Sequence, residues 1–254
     1  SEMCIRDSSW MTVVAAMGQM FYSLSIAMGI LITFGSYMKK ETSLEDSTRN
    51  VEVFDTAIAI MAGLMIIPAV FSFSGGDPDT LQAGPALMFI TIPKVFENMG
   101  FGTVVGILFF LLVLFAAVTS SIALTESAVS TFEDELGWSR RRATVLVGVI
   151  MIALGSLSSL GYGPLAGIKI IGMQFLDFFD FLTNSVMMPI AAMLTSLFVS
   201  RIVGMKRMEE EIMHGESTFR RKKIFIVMIK YLCPVFALII LISSVANAFG
   251  WIAM

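Results

Sequence analysis

The chain has 254 residues, of which 56% are hydrophobic and 15% are charged, and its mean hydropathy is +0.83. Soluble domains are typically about 45–50% apolar and about 25% charged, so this composition excludes a soluble enzyme and a disordered tail. The formal net charge of −3 argues against a nucleic-acid partner. The composition therefore predicts an integral membrane protein, embedded in the lipid bilayer.

The first eight residues differ from the rest of the chain. Ser1 to Ser8 show neither apolar periodicity nor a signal-peptide pattern, and they resemble translated sequencing adapter. The membrane pattern begins abruptly at Trp10. We therefore expect residues 1–8 to be a non-native segment and residues 9–254 to be the C-terminal part of a longer transmembrane domain.

Six segments are apolar enough to cross a bilayer, which takes about 20 residues of helix. The predicted spans are 10–38, 48–75, 101–129, 142–162, 176–203 and 223–250. Between the second and third spans, residues 80–100 contain an apolar stretch between Pro85 and Pro93 that is too short to span. This stretch predicts either an outer helical hairpin or a helix lying on the bilayer surface.

Basic residues are concentrated in three of the loops between these spans. The first loop carries Lys39, Lys40 and Arg49, the third carries Arg140, Arg141 and Arg142, and the fifth carries Arg201, Lys206, Arg207, Arg220, Arg221, Lys222 and Lys223. The positive-inside rule assigns such loops to the cytoplasm. Both the start of the first span and the C-terminus are therefore expected outside.

The first span is longer than a bilayer requires and is polar near its centre, at Gln19, Ser23 and Ser25. On one continuous helix Ser23 and Ser25 would point to different faces. Two interpretations stay open from these residues alone. Either the backbone is unwound and both serines serve one site, or a long tilted helix packs its serines against neighbours.

The second span holds Asp55. If its helix begins near residues 45–50, Asp55 is inside the membrane, where a carboxylate must be paired or bind a cation. If the helix begins at Thr56, Asp55 is an interfacial residue.

The third span offers small and hydroxyl side chains. Ala116, Ser120 and Leu124 are spaced by four and share one helix face, with Thr119 beside them. Hydroxyl and carbonyl oxygens suit a hard cation such as Na⁺. Helix packing through small residues is the alternative.

The fifth span has an acidic residue, Asp180, at its outer mouth. It is predicted either to pair with a basic residue or to be an ordinary interfacial acid.

Together, four ordered motifs resemble those of the neurotransmitter:sodium symporter family, specifically its bacterial amino-acid transporters. The motifs are Gly18 to Ser25, Asp55 with Gly63 and Pro68, Gly84 to Pro93, and Thr119 to Ser121 followed by Glu133 to Leu136. This family is itself the standard example of inverted repeats with broken helices.

The resemblance covers nearly all of the chain and implies that its spans correspond to the sixth to eleventh helices of the family fold. The expected fold class is an all-α integral membrane protein with six transmembrane helices. It would be a partial leucine-transporter-type inverted-repeat fold, with a broken first helix and an extracellular helical hairpin.

The resemblance also implies roles for individual residues. The substrate pocket would contain Tyr22, Ser23, Ser25, Met28, Ser120 and Leu124. The first sodium would contact Ser23 and Asp55, and the second would contact Ala116, Thr119 and Ser120. The outer gate would contain Gln19 and Asp180. This chain would supply only part of each sodium site, because the first five helices of the family fold are absent from it.

Two departures from the family pattern bear on chloride. Asp55 stands where many members have Asn, and Ala59 stands where chloride-dependent members have a serine. An alanine cannot hold an anion, whereas Asp55 brings its own negative charge. The resemblance therefore implies chloride-independent coupling, with Asp55 as the counter-charge and a candidate proton acceptor on the return step.

The expected function is secondary active transport that couples sodium influx to uptake of an amino acid across the plasma membrane. Met28 and Leu124 make the pocket apolar, which favours a hydrophobic or aromatic substrate. No covalent chemistry is needed, so we do not expect an enzyme. The expected partners are the amino acid and the missing N-terminal helices of the same protein. The alternatives are a related amino-acid/cation permease and an inert fragment of such a transporter.

Overall fold

The computed structural model describes residues 10–73, 86–215 and 219–249. The predicted segment 1–8, the last two residues of the second predicted span, residues 80–85 of the predicted hairpin and the last residue of the sixth predicted span lie outside these ranges. Every regular element in the described ranges is a helix, and one isolated β-bridge joins Ile170 and Met173. The prediction of an all-α fold is confirmed.

Nine α- or π-helical segments follow one another along the described chain, and one 3₁₀ turn covers Met213–Gly215. They are α1 (Trp10–Ser23), α2 (Ile30–Ser36), α3 (Leu44–Phe73), α4 (Leu87–Thr91 continuing as Ile92–Glu97), α5 (Gly102–Leu136), α6 (Arg140–Leu160), α7 (Phe175–Val203), α8 (Met205–Ile212) and α9 (Lys222–Ala248). The wider π-helical geometry occurs within α4, α7 and α9.

Five of these helices (α3, α5, α6, α7 and α9) are long and apolar enough to cross a membrane. The first predicted span is divided into α1 and α2 by six residues outside any helix, so neither half reaches that length. The break that the resemblance implied is therefore present, and a continuous tilted helix over 10–38 is not formed.

Helix α5, which corresponds to the third predicted span, is longer than its apolar stretch. It ends at Leu136 instead of the predicted 129, because Gly137 adopts a left-handed φ of 63° and donates its N–H to the Glu133 carbonyl. Hydropathy predicted the end of the apolar stretch, whereas the end of the helix is set by Gly137. The last two turns of α5 thus continue beyond its apolar stretch.

The described chain divides into two compact units. The first comprises residues 1–48 and 124–254, and the second comprises residues 49–123. In the second unit, α4 packs on the start of α5 through two aromatic pairs, Phe89 with Phe110 and Phe96 with Phe109. Close approach there depends on Gly102, where a Cβ atom would lie 1.6 Å from the Phe96 carbonyl oxygen.

In the first unit, α7 and α9 form an antiparallel pair, and α1 packs against α9. Ser196 on α7 is buried and donates its hydroxyl to the Ile229 carbonyl of α9. Ala237 and Ile240 of α9 are also buried, and Gly18 of α1 faces Ile240. A second cluster joins α5 and α6 through Val129, Ala143 and Val147.

Candidate functional site

The break between α1 and α2 begins with a regular helix-terminating motif. Ser25 donates its N–H to the Tyr22 carbonyl (3.0 Å), and Ile26 donates to the Phe21 carbonyl (3.0 Å). This is the paired hydrogen-bond pattern of the Schellman motif, whose left-handed position usually holds glycine. Here Ser25 holds it, with φ of 54°, so the helix ends without the residue type that best tolerates this conformation.

The rest of the break keeps its carbonyl groups out of the helical ladder. Ala27 and Gly29 also have left-handed φ values, of 63° and 78°. Regular bonding resumes when Thr33 donates to the Gly29 carbonyl at 2.9 Å. No backbone N–H in the described ranges donates to the carbonyls of residues 24–27. Irregular backbone at membrane depth is tolerated where it lines a cavity or is covered by protein, so these oxygens can receive a cation or a polar ligand.

The far end of the break is held against α5 within the first unit. The Ser127 hydroxyl donates to the Met28 carbonyl at 3.4 Å, and a Cβ on Gly29 would lie 2.5 Å from the same hydroxyl oxygen. Four residues further on, Thr33 and Ser130 share a hydrogen bond of 3.3 Å. Thr33 and Ser127 are both buried. We define the α2–α5 seam as the backbone of Met28 and Gly29 together with the side chains of Thr33, Ser127 and Ser130.

Beyond the end of α2, the carboxylate of Glu126 on α5 accepts hydrogen bonds from two residues. The Tyr37 hydroxyl donates to Oε1 of Glu126 at 2.7 Å, and Arg140 donates to the other carboxylate oxygen at 2.5 Å. Arg140 also reaches Glu133 at 3.3 Å. One carboxylate therefore ties the end of α2 to the start of α6.

A cavity of about 290 Å³ opens beside α1 in the first unit. Its polar lining comes from three helices and comprises Gln19, Tyr22, Asp180, Asn184, Ser185 and Ser244. The Asn184 side-chain amide donates to Oδ1 of Asp180 at 2.5 Å, so two of these lining residues are hydrogen-bonded to each other. The predicted gate residues Gln19 and Asp180, far apart in the chain, thus line one cavity with Tyr22. Their role as a gate stays a prediction.

In the second unit, the hydroxyl residues of α5 present oxygen atoms at the middle of a spanning helix. The Thr119 hydroxyl donates to the carbonyls of Phe115 and Ala116, at 3.0 Å each. Donation fixes the rotamer and leaves lone pairs on the hydroxyl oxygen directed away from these carbonyls. Ala116, Thr119 and Ser120 are exposed. The Thr119 and Ala116 oxygens lie 3.0 Å apart as hydrogen-bond partners, and their role in holding sodium stays a prediction.

Asp55 lies on α3, also in the second unit, and is half-buried. The helix begins at Leu44, eleven residues earlier, which is about 16 Å along a helix at 1.5 Å per residue. The alternative of a helix that begins at Thr56 is therefore wrong, whereas the position of Asp55 inside the membrane stays a prediction. Asp55 lies one turn beyond Glu52, the last charged residue before the apolar part of the span.

The two units divide the predicted site residues between them. The first unit holds Gln19, Tyr22, Ser23, Ser25, Met28, Leu124 and Asp180, and the second holds Asp55, Ala116, Thr119 and Ser120. Their assignments to substrate and sodium stay predictions. Our sequence analysis missed Ser127, Glu126 and Tyr37. The spacing of Ser127 and Ser130, one turn apart on α5, was the available signal for the seam.

Comparison with known proteins identifies the family of this chain. The family model of the sodium:neurotransmitter symporter family matches residues 3–250. An uncharacterized sodium-dependent transporter of Bacillus subtilis, YhdH, is 32% identical over 206 residues, covering 81% of this chain and 45% of the relative. A Haemophilus influenzae sodium-dependent transporter is 32% identical over 232 residues, covering 91% of this chain and 50% of the relative.

A solved structure has the same fold. The crystal structure of MhsT in complex with L-phenylalanine superimposes with a TM-score of 0.80 at 37% identity, covering 91% of this chain and 51% of that one. The chain thus spans about half the length of the curated relatives it matches. The resemblance inferred from the four motifs is confirmed, and the chain belongs to the sodium:neurotransmitter symporter family.

Proposed function

We propose that this chain forms part of a transporter that couples sodium influx to the uptake of a hydrophobic or aromatic amino acid. The observation that carries the proposal is the break between α1 and α2, where carbonyl groups leave the helical ladder in the middle of a membrane span. Membership of a sodium symporter family supports the coupling ion. The phenylalanine bound to MhsT supports the substrate class.

The proposed mechanism uses binding energy and needs no covalent step. Sodium, which is transported cargo, binds to hydroxyl, carbonyl and carboxylate oxygens and orders the unwound segment. The first ion is assigned to Ser23 and Asp55, and the second to Ala116, Thr119 and Ser120. A bound ion shifts a conformational equilibrium toward the state that binds it more tightly. We assign the ordered segment to the outward-facing state, so sodium binding favours that state. The missing oxygens of both sites come from the first half of the whole protein.

The amino acid then binds against the same segment. Its polar groups contact backbone and hydroxyl groups of Ser23, Ser25 and Ser120, and its side chain packs against Tyr22, Met28 and Leu124. Gln19 and Asp180 form part of the outer gate. Inward opening releases substrate and sodium together, and the sodium gradient drives the cycle.

Coupling is proposed to be independent of chloride. Asp55 places a carboxylate beside the first ion, and Ala59, one turn later on α3, offers no anion-binding group. A fixed negative charge makes an added anion unnecessary for charge balance. The same carboxylate is the proposed proton acceptor on the return step.

The test is uptake of labelled L-phenylalanine into proteoliposomes that contain the protein as its gene encodes it. Uptake is expected to require an inward sodium gradient and to persist when gluconate replaces chloride. Asp55→Ala should abolish sodium-dependent substrate binding. Loss of uptake without chloride would refute the chloride assignment, and sodium-independent uptake would refute the proposed coupling.

A matched pair of variants tests the second ion site. Thr119→Val keeps the shape of the side chain but removes the oxygen, and we expect sodium affinity to fall about tenfold or more, as for one lost contact to a charged group. Thr119→Ser keeps the hydroxyl and should bind sodium nearly as the native protein does. Equal sodium affinity in both variants would remove Thr119 from the site.

A further inference from the structure

Basic residues of α7 and α9 lie at the same height along the two helix axes, at the end of the pair next to the fifth loop. Ser196 of α7 bonds to Ile229 of α9, so these residues lie side by side in an antiparallel pair. Arg201 is five residues beyond Ser196, and Ile224 is five residues before Ile229. Both shifts are five residues long and run in the same direction along the pair. Arg201 therefore lies level with Ile224 and its neighbour Lys223.

The apolar boundary of both helices coincides with this level. Arg201 follows the uncharged stretch of α7, and Lys223 precedes the apolar part of α9. The adjacent side chains of Ile202 and Ile224 are 74% and 65% exposed. Cations that lie beside aliphatic groups at the end of a spanning helix reach the headgroup region.

Acidic groups of the same unit cover only part of this charge. Glu209 of α8 forms an ion pair with Lys222, and Glu45 accepts the backbone N–H of Arg220. Arg201 and Lys223 are both exposed at the aliphatic boundary.

We propose that this end of the α7–α9 pair is a binding site for an anionic phospholipid, with Arg201 and Lys223 holding its phosphodiester. The aliphatic groups of Ile202 and Ile224 contact the upper part of its acyl chains. The positive-inside rule assigns this end to the cytoplasm, whose leaflet is rich in anionic lipid. A phosphate continuous with hydrocarbon matches the adjacent cationic and aliphatic groups better than a soluble polyanion does.

This site is separate from the proposed transport machinery. None of its residues is assigned to sodium, substrate or gate, so lipid binding and transport can be measured independently. The positive-inside rule explains on which side the cations lie, but it does not require cations of two helices to share one level beside exposed isoleucines.

The experiment measures lipid binding by native mass spectrometry. The protein as its gene encodes it, in a neutral detergent, is titrated with phosphatidylglycerol and separately with phosphatidylcholine. The double variant Arg201→Gln/Lys223→Gln should weaken phosphatidylglycerol binding about 25-fold, about fivefold for each cation. Phosphatidylcholine binding should not change. The matched control Lys39→Gln/Lys40→Gln removes two cations of the first loop and should leave phosphatidylglycerol binding at the native level.

Two further measurements keep the proposal open to refutation if the double variant misfolds. The charge-preserving variant Arg201→Lys/Lys223→Arg should keep its preference for phosphatidylglycerol. Rising salt should weaken phosphatidylglycerol binding to the native protein, because salt screens an exposed charge contact. Equal binding of the two lipids, native binding by the double glutamine variant, or phosphatidylglycerol binding insensitive to salt would each overturn the proposal.

Discussion

Gly29 is the position where a single methyl group should disturb this fold most selectively. It ends the break between α1 and α2, with φ of 78°, and a Cβ there would lie 2.5 Å from the Ser127 hydroxyl oxygen. Gly29→Ala therefore adds two separable costs, one in the backbone and one in the α2–α5 seam. The seam is buried at both Thr33 and Ser127, so the added methyl group cannot escape into solvent.

The two costs can be given sizes. A left-handed conformation costs a non-glycine residue about 1–2 kcal/mol, and an extra methyl group in a packed contact costs about 1–3 kcal/mol. Gly29→Ala should thus destabilise the protein by about 2–5 kcal/mol. For a chain of this size each kcal/mol lowers the melting temperature by about 2–4 °C.

The assay is thermal unfolding of the purified protein in detergent, compared among three variants. Gly35→Ala is the matched control, because no atom lies within 4 Å of its Cβ position and α2 is helical there. It should be neutral or stabilising by up to about 1 kcal/mol. Gly29→Ala/Ser127→Ala removes the clash but keeps the backbone cost, so it should recover part of the loss.

Two outcomes would refute this reasoning. If Gly29→Ala and Gly35→Ala have the same melting temperature, the left-handed conformation at residue 29 is absent. If removing the Ser127 hydroxyl recovers nothing, the contact between Gly29 and α5 is absent.

Two other changes test contacts within single units. Gly102→Ala should destabilise α4–α5 packing by about 4 kcal/mol or more, because its Cβ would overlap the Phe96 carbonyl, whereas Gly100→Ala meets no atom within 4 Å and should melt close to the native protein. Glu126→Gln keeps an acceptor for Tyr37 but loses the ion pair with Arg140, and Glu126→Ala loses both. Melting temperatures should fall in the order native, glutamine, alanine; equal values would show that this contact does not stabilise α2.

Hydropathy and charge were enough to predict an all-α membrane fold. The apolar stretches of α3, α5, α6, α7 and α9 all lie where the sequence predicts them. This worked because the cost of placing a peptide or a charge in hydrocarbon is local and can be summed along the chain. Family motifs added the break in the first span, which composition alone left open.

Contacts between distant residues had no such local signal. Gln19 and Asp180 line one cavity because α1, α7 and α9 pack together, and Ser127 meets Met28 because Gly29 has no side chain. Serine is common in packed membrane helices, so Ser127 could not be distinguished from Ser130 or Ser121 by type. Its role depends on the path of the backbone 99 residues earlier.

The charged residues, 15% of the chain, also separate what the sequence predicts from what tertiary contacts decide. The sequence by itself determined which loops are basic, and through the positive-inside rule their expected side of the membrane. Only the tertiary structure decided which charges meet, joining Glu126 to Tyr37 and Arg140 and bringing Arg201 level with Lys223. The physical reason is that helix formation and membrane partitioning depend on neighbours in sequence, whereas pairing depends on how helices pack.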